Sequence, residues 1–212
     1  MITLYDYALS GNCYKVRLLL NILQVPFSAR AMDFHPGREH KSDWFLKLNP
    51  LGQLPVINDE GLLLREAQAI LVYLASRYDA SGHWYPRQDA AALGRIGQWL
   101  GFAEGLTATA GAARRHDTLF VEVDIGKCRA GAHALLRILD EHLWFAEQAG
   151  ERWLCTAEWP SIADLACFPY VMLSEEGGIS RLPYPAIRRW AERVKRVPGF
   201  IPMSGIFPAS AA

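Results

Sequence analysis

The chain has 212 residues, with 22 Lys or Arg balancing 22 Asp or Glu, and 51% of its residues are apolar. That balance gives no electrostatic reason to expect nucleic acid or an anionic membrane as partner, and no apolar run reaches the ~18–20 residues needed to span a bilayer. Four scattered cysteines, Cys13, Cys128, Cys155 and Cys167, have neither metal-ligand nor disulfide spacing, so the reading is metal-free and of a reducing cytoplasm.

The opening MITLYDYALS lacks the basic and apolar regions of a secretory signal and instead alternates as a strand through MITLYDY. YKVRLLLNIL has helical apolar spacing and stops before Pro26. FSARAMDF reads as a second strand, so the three segments make a strand–helix–strand unit of the size that suits a parallel pair. A polar stretch, HPGREHKSDWFLKLN, shows no element. PLGQLPVINDEGLLLREAQAILVYLASRY then predicts a short strand, a turn at Asn58–Gly61, another strand, and a helix from about Glu66 to Tyr78.

Breakers and turn formers crowd DASGHWYPRQ, which predicts a linker over 80–88. Beyond it strand signals nearly vanish. DAAALGRIGQWLGFAEGL and KCRAGAHALLRILDEHLWFAEQ carry helical periodicity, with Leu135, Leu136, Leu139 and Leu143 on one face. Ser161 and Asp164 form a capping-box-like start to a helix whose Pro169 implies a bend or an early end. YPAIRRWAERVKRV is a last amphipathic helix. The organisation is α/β over 1–79 followed by an all-helical unit over 89–212.

LSGNCYKV sets Ser, Gly, Asn and Cys at a strand-to-helix junction, where polar groups converge with the unpaired amides of a helix start. From the turn alone, Ser10 as a helix cap and Ser10 as a site residue are equally supported.

The ordered set SGNCYKVRLLL, EHKS, NPLGQLPVI, REAQAILVYLA, SIADLACFPYV and PAIRRWAERVKRVPGF resembles the cytosolic, dimeric glutathione S-transferase superfamily, nearest to bacterial theta-, phi- or zeta-like members. The resemblance implies a thioredoxin-like domain joined to a helical bundle, a homodimer, and glutathione as co-substrate. It also implies roles residue by residue. Ser10 is placed to donate its hydroxyl to the glutathione sulfur, with Asn12 as a second donor and Tyr7 as the rival to Ser10. Cys13 holds the place of a resolving cysteine, but without a cysteine at position 10 it reads as core. Leu54, before a cis Pro55, supplies backbone bonds to the tripeptide. His40, Lys41 and Gln53 face its glycine carboxylate, Glu66 its α-ammonium, and the amide of Ala67 the neighbouring carboxylate. The family has Ser where this chain has Ala67, and losing that hydroxyl bond to a carboxylate costs ~1.5–3 kcal/mol.

Lowering a thiol pKa from about 8.5 by ~2 units requires roughly 2.7 kcal/mol. A hydroxyl bond to charged sulfur contributes ~1.5–3 kcal/mol and a helix N-terminus ~0.3–1 kcal/mol, which together suffice. Trp99, Phe102 and the Arg114–Arg115–His116 cluster lie on segments that could border the electrophile pocket, but core packing is the better reading of the aromatics and a solvated face that of the basic run. The function so implied is addition of the glutathione thiolate to a small apolar electrophile, or reduction of a hydroperoxide. The alternatives are a non-catalytic binding module and a glutathione-dependent disulfide-bond reductase.

Overall fold

In the computed structural model, which describes residues 1–209, the opening alternation becomes strand β1 (Ile2–Asp6), with Ile2 and Leu4 buried. Ser10 then starts helix α1 (Gly11–Ile22), its hydroxyl accepting the Cys13 N–H at 3.2 Å. The chain returns as β2 (Phe27–Ala31), parallel to β1 with Leu4 opposite Ala29. Strand β3 (Val56–Asp59) runs antiparallel to β1, with Leu4 opposite Ile57. The Asn58 side chain accepts the Gly61 N–H at 2.9 Å and closes the turn into β4 (Leu62–Arg65). The sheet order is β2-β1-β3-β4, followed by helix α3 (Ala67–Tyr78).

Between β2 and β3, the stretch that predicted no element holds a 3-10 turn (Glu39–Lys41) and a short helix, α2 (Asp43–Leu48). Six residues are too few for a helical period to show, and a helix this short forms only through packing. Here Phe45 packs against Met32 and Val56, with Tyr5, Leu48 and Leu54 around them.

Past a segment without helix or strand at 79–89, the chain is helical: α4 (Ala90–Ala108), α5 (Ala110–Leu119), α6 (Ile125–Gln148), α7 (Ile162–Met172) and α8 (Pro185–Lys195). Helix α5 gave no sequence signal because its buried residues are Ala110, Gly111, Ala112, Ala113 and Arg114. Small side chains pack closely without making an apolar stripe. On α6, Leu136, Leu139 and Leu143 are buried as the period predicts, and Leu135 packs beside them. Among the described residues no helix is long and apolar enough to cross a membrane.

Helix α7 is buried on every side, which is the pattern of a central helix. Its Pro169 does not stop it at once: the helix runs on to Met172 and tightens into a 3-10 turn, Leu173–Gly177. Leu18, Ile70 and Leu74 from the α/β half and Leu165, Phe168 and Trp190 from the helical half lie in one continuous core. Tyr14 donates to the Ile201 carbonyl (2.7 Å) and Asn21 to that of Gly199 (2.7 Å), tying the C-terminal tail to α1.

Asp164 is the buried polar hinge-pin of this arrangement. Its carboxylate accepts the Ser161 N–H (2.9 Å), the Leu154 N–H (3.1 Å) and the Trp190 indole N–H (2.9 Å), joining α7 to the preceding loop and to α8. Burial raises its pKa and these donors oppose the rise. Asp164→Ala leaves three buried donors unsatisfied, so urea unfolding is expected to show a loss of about 3 kcal/mol or more; a loss below about 1 kcal/mol contradicts this account.

Candidate functional site

The turn between β1 and α1 is clamped from two directions. Arg17, on α1, forms an ion pair with Asp6 and donates to the Ala8 carbonyl at 2.9 Å. From the helical half, Arg114 donates Nη1 to the Leu9 carbonyl at 2.7 Å while its Nε binds Glu176 at 2.6 Å. Carbonyls that a tight turn would leave exposed are thereby satisfied, and the first amides of α1 point at a fixed place.

That place is a cavity of about 510 Å³, whose wall includes Ser10, Asn12, His40, Lys41, Gln53, Leu54 and Glu66. These sequence-predicted residues are thus brought together from four segments of chain. Pro55 and Ala67 are not in the wall; each is buried directly behind a residue that is. Tyr7 lines the cavity beside Ser10, whereas Tyr5 packs edge-on against Phe45 at 6.0 Å between ring centres.

The Leu54–Pro55 bond is cis, as the resemblance implied. Among the described residues neither the N–H nor the C=O of Leu54 has a hydrogen-bond partner. Both are therefore open to an extended ligand laid along this edge. The His40 ring stacks on Phe34 at 4.0 Å, and Phe34 stacks on Tyr7 at 5.1 Å. Burial lowers the His40 pKa, and the Lys41 and Arg38 charges lower it further, so the imidazole is neutral at pH 7. Lys41 reaches the Leu51 carbonyl at 3.0 Å.

Glu66 sits at φ 67°, ψ 113°, in the left-handed half of backbone space, and makes no side-chain cap. Strain of this kind in a residue other than glycine costs ~1–3 kcal/mol and clusters at functional sites. It leaves the first amides of α3, including that of Ala67, without an intrahelical partner. Gln68 is buried with both amide atoms unpartnered, yet lies outside the cavity wall.

Tyr170 of α7 forms the floor towards the helical half. Its ring is wedged between Gly11 and Gly111, where a Cβ would come within 3.0 and 2.9 Å of it. Lys15 lies 5.2 Å from the centre of the same ring, fully buried with no hydrogen-bond partner. Burial lowers the Lys15 pKa to about 8. Arg114 and Arg115 also line the cavity, and Arg115 is exposed.

A family model for the glutathione S-transferase N-terminal domain matches residues 1–76. Mouse glutathione S-transferase theta-1 is 30% identical over 205 residues, which cover 94% of this chain and 84% of that protein. The chain belongs to the glutathione S-transferase family. The glutathione S-transferase verG of Clonostachys rogersoniana is 29% identical, across 89% of this chain and 80% of that one. Among solved structures, a glutathione S-transferase from Xanthobacter autotrophicus Py2 superposes with TM-score 0.82 at 30% identity, covering 95% and 96% of the two chains. One from Pseudomonas fluorescens Pf-5 gives 0.81 at 30% identity, over 95% and 98%. The N-terminal sheet and helices are therefore the thioredoxin-like part of a glutathione transferase, and the five long helices its helical part.

In this transferase several wall residues had no sequence signal. Phe34, Glu104, Thr107, Gly111, Leu119, Val121 and Tyr170 reach the cavity only through folding. Of the residues on the bordering segments, Arg114 and Arg115 line it, but Trp99, Phe102 and His116 do not. Trp99 packs edge-on to Phe102 at 4.9 Å and lies 4.7 Å from His142 in the core, where apolar burial outweighs display. His116 turns to the Val121 carbonyl at 3.0 Å.

Cys13 is fully buried, and burial, then the Asp6 charge, push its pKa up to about 12. Burial likewise raises Cys155 to about 12 and raises Cys167. Only Cys128, of the four, is half-buried. An aromatic disulfide reagent at pH 8 is expected to modify Cys128 and to leave the other three thiols intact until the protein is denatured. Rapid modification of Cys13 in the native protein would overturn this assignment.

Proposed function

We propose that this enzyme conjugates glutathione to small apolar electrophiles, and that the 510 Å³ cavity beside Ser10 is where both are held. The observation that carries the reading is the convergence on that cavity of a helix start, a hydroxyl and an unpaired backbone edge at Leu54. Family membership supports glutathione as the thiol substrate and a homodimer in the cytoplasm as the working form. Residues 1–79 act as the glutathione-binding unit and 89–212 as the electrophile side.

Ser10 donates to the sulfur. Its hydroxyl already accepts the Cys13 N–H, and a thiol with a pKa near 12 stays neutral and is a weak acceptor. The hydroxyl proton therefore turns to an incoming thiolate at little cost. Asn12, whose side-chain oxygen is buried without a partner, offers its amide N–H₂ from the same turn. His40, Lys41 and Gln53 meet the glycine carboxylate, and Glu66 the α-ammonium, so the tripeptide's charges set its direction. Pro55 holds Leu54 in place. With Tyr170 closing the floor, the bound thiolate is shielded from bulk water, which strengthens each of these contacts.

The same thiolate attacking the O–O bond of a hydroperoxide would form glutathione sulfenic acid and release the alcohol, and a second glutathione would convert the sulfenic acid to glutathione disulfide and water, so the site would also serve a peroxidase reaction. A disulfide-reductase role is disfavoured by Ser10 and by the inert state of Cys13.

Ser10→Ala is expected to raise the pKa of bound glutathione by about 1–2 units and to lower kcat/KM by about ten- to a hundredfold with an aryl halide. The check is ultraviolet thiolate absorbance at pH 7, and an unchanged spectrum moves the role to Asn12 or Tyr7. Ala67→Ser is expected to tighten glutathione binding about tenfold or more by calorimetry. Equal or weaker affinity would show that the Ala67 amide alone fills this position. Glutathione bound without turnover of any electrophile would favour a binding module instead.

A further inference from the structure

Lys15 is a buried charge beside the cavity to which conjugation, as described, gives no task. The residue is fully buried, and its ammonium has no hydrogen-bond partner among the described residues. A lysine is almost never enclosed in this way. An apolar side chain of similar length would fill the same space without the penalty of taking a charge out of water. A position that breaks a packing rule at an evident cost in stability points to a functional constraint.

The side chain lies close to the start of α1. Lys15 and Gly11 are one turn apart on the same face of that helix, and helical side chains lean towards the N-terminus. The stem therefore runs back towards Gly11 and Ser10, the latter about 7.5 Å away along the helix axis. Gly11 has no Cβ, and the Tyr170 ring occupies the room this leaves: its Cε1 and Cζ come within 3.0 Å of where a Cβ would stand. The Lys15 ammonium is 5.2 Å from the centre of that ring. Tyr170 is part of the cavity wall and Lys15 is not, so the charge sits behind the floor, near Ser10.

Its neighbours leave the charge uncompensated. The titratable groups acting on it are the Cys167 thiol from α7 and Glu104 from α4. Burial raises the Cys167 pKa, so that thiol is neutral at pH 7, and burial does the same for the Tyr170 phenol. Glu104 is exposed on the cavity wall, where water screens it. Arg114, the other largely buried cation at this turn, is paired with Glu176. Burial lowers the Lys15 pKa to about 8, which still leaves it protonated at pH 7. Solvent ions cannot surround a buried charge, so its field is screened far less than that of a surface lysine.

We propose that the Lys15 ammonium is a fixed charge behind the cavity floor that favours the thiolate form of bound glutathione through space. It adds to the Ser10 hydroxyl and the first amides of α1. The thiol proton leaves to water, and Lys15, already protonated, does not receive it. The inference rests on the reading of the cavity beside Ser10 as the glutathione site.

The test compares the wild type with Lys15→Met and Lys15→Gln, two neutral replacements of similar length. Bound glutathione is titrated by its ultraviolet thiolate absorbance, S-hexylglutathione affinity is measured by calorimetry, and stability by urea unfolding at pH 7. Both variants are expected to raise the bound thiol pKa by about 1 unit. At saturating glutathione, kcat/KM for an aryl halide is expected to fall about tenfold at pH 6 and to approach the wild-type value by about pH 9. S-hexylglutathione has no ionisable sulfur, so its affinity is expected to stay within about twofold. Lys15→Met is expected to unfold at equal or higher urea, because a buried charge without a partner is removed. An unchanged thiol pKa in both variants overturns the inference and leaves the proposed function standing. A raised pKa accompanied in both by lost stability and lost S-hexylglutathione affinity also overturns it, since that marks a merely structural lysine. A wild type that binds no glutathione, or binds it un-ionised at pH 7, overturns the proposed function and this inference together.

Discussion

The double clamp on the turn from Tyr7 to Ser10 is the constraint from which the rest of the site follows. Arg17 grips the turn from α1 itself, and Arg114 grips it from α5. Each guanidinium is also held by a carboxylate, Asp6 and Glu176 respectively. The pairs are largely buried, so removing one partner would strand a charge. The start of α1 is in this way fixed in the sheet and in the helical bundle at once. Its aim does not depend on the loop's own preference.

A second consequence concerns how the two halves of the chain share one cavity. Tyr170 reaches the site only because Gly11 and Gly111 lack a Cβ where its ring passes. The ring closes the helical side of the cavity and at the same time covers the buried Lys15 ammonium from its π face, a contact that partly offsets the cost of burial. Packing, charge and site shape are coupled at this point, so changes in the helical half act directly on groups beside Ser10.

The wall of the cavity carries both signs of charge, Lys41, Arg114 and Arg115 with Glu66 and Glu104, beside a His40 kept neutral by burial and by neighbouring cations. The strained backbone of Glu66 is retained because β4 and α3 fix it from both sides.

Much of this was legible in the amino-acid order. Local periodicity marked β1, α1, β3, β4, α3 and the long helices, because each carries an apolar face read at its own period. The turn by itself marked Ser10 as a cap or a site residue, whereas Asn12, His40, Lys41, Gln53, Leu54 and Glu66 were marked by resemblance to the family. Helices α2 and α5 stayed hidden, one too short and the other too poor in large apolar residues to show a period. Trp99 and Phe102 lie in the core, as their helical spacing favoured, because burial of an apolar ring outweighs its display in a cavity. The sequence by itself determined the elements, the cap at Ser10 and the chemistry offered at each turn, all of which depend on neighbours a few residues away. Only the tertiary structure decided that Phe34, Tyr170, Arg114 and Arg115 join that chemistry, and that Tyr170 covers Lys15, because contacts between residues far apart in the chain are fixed by packing and leave no local trace.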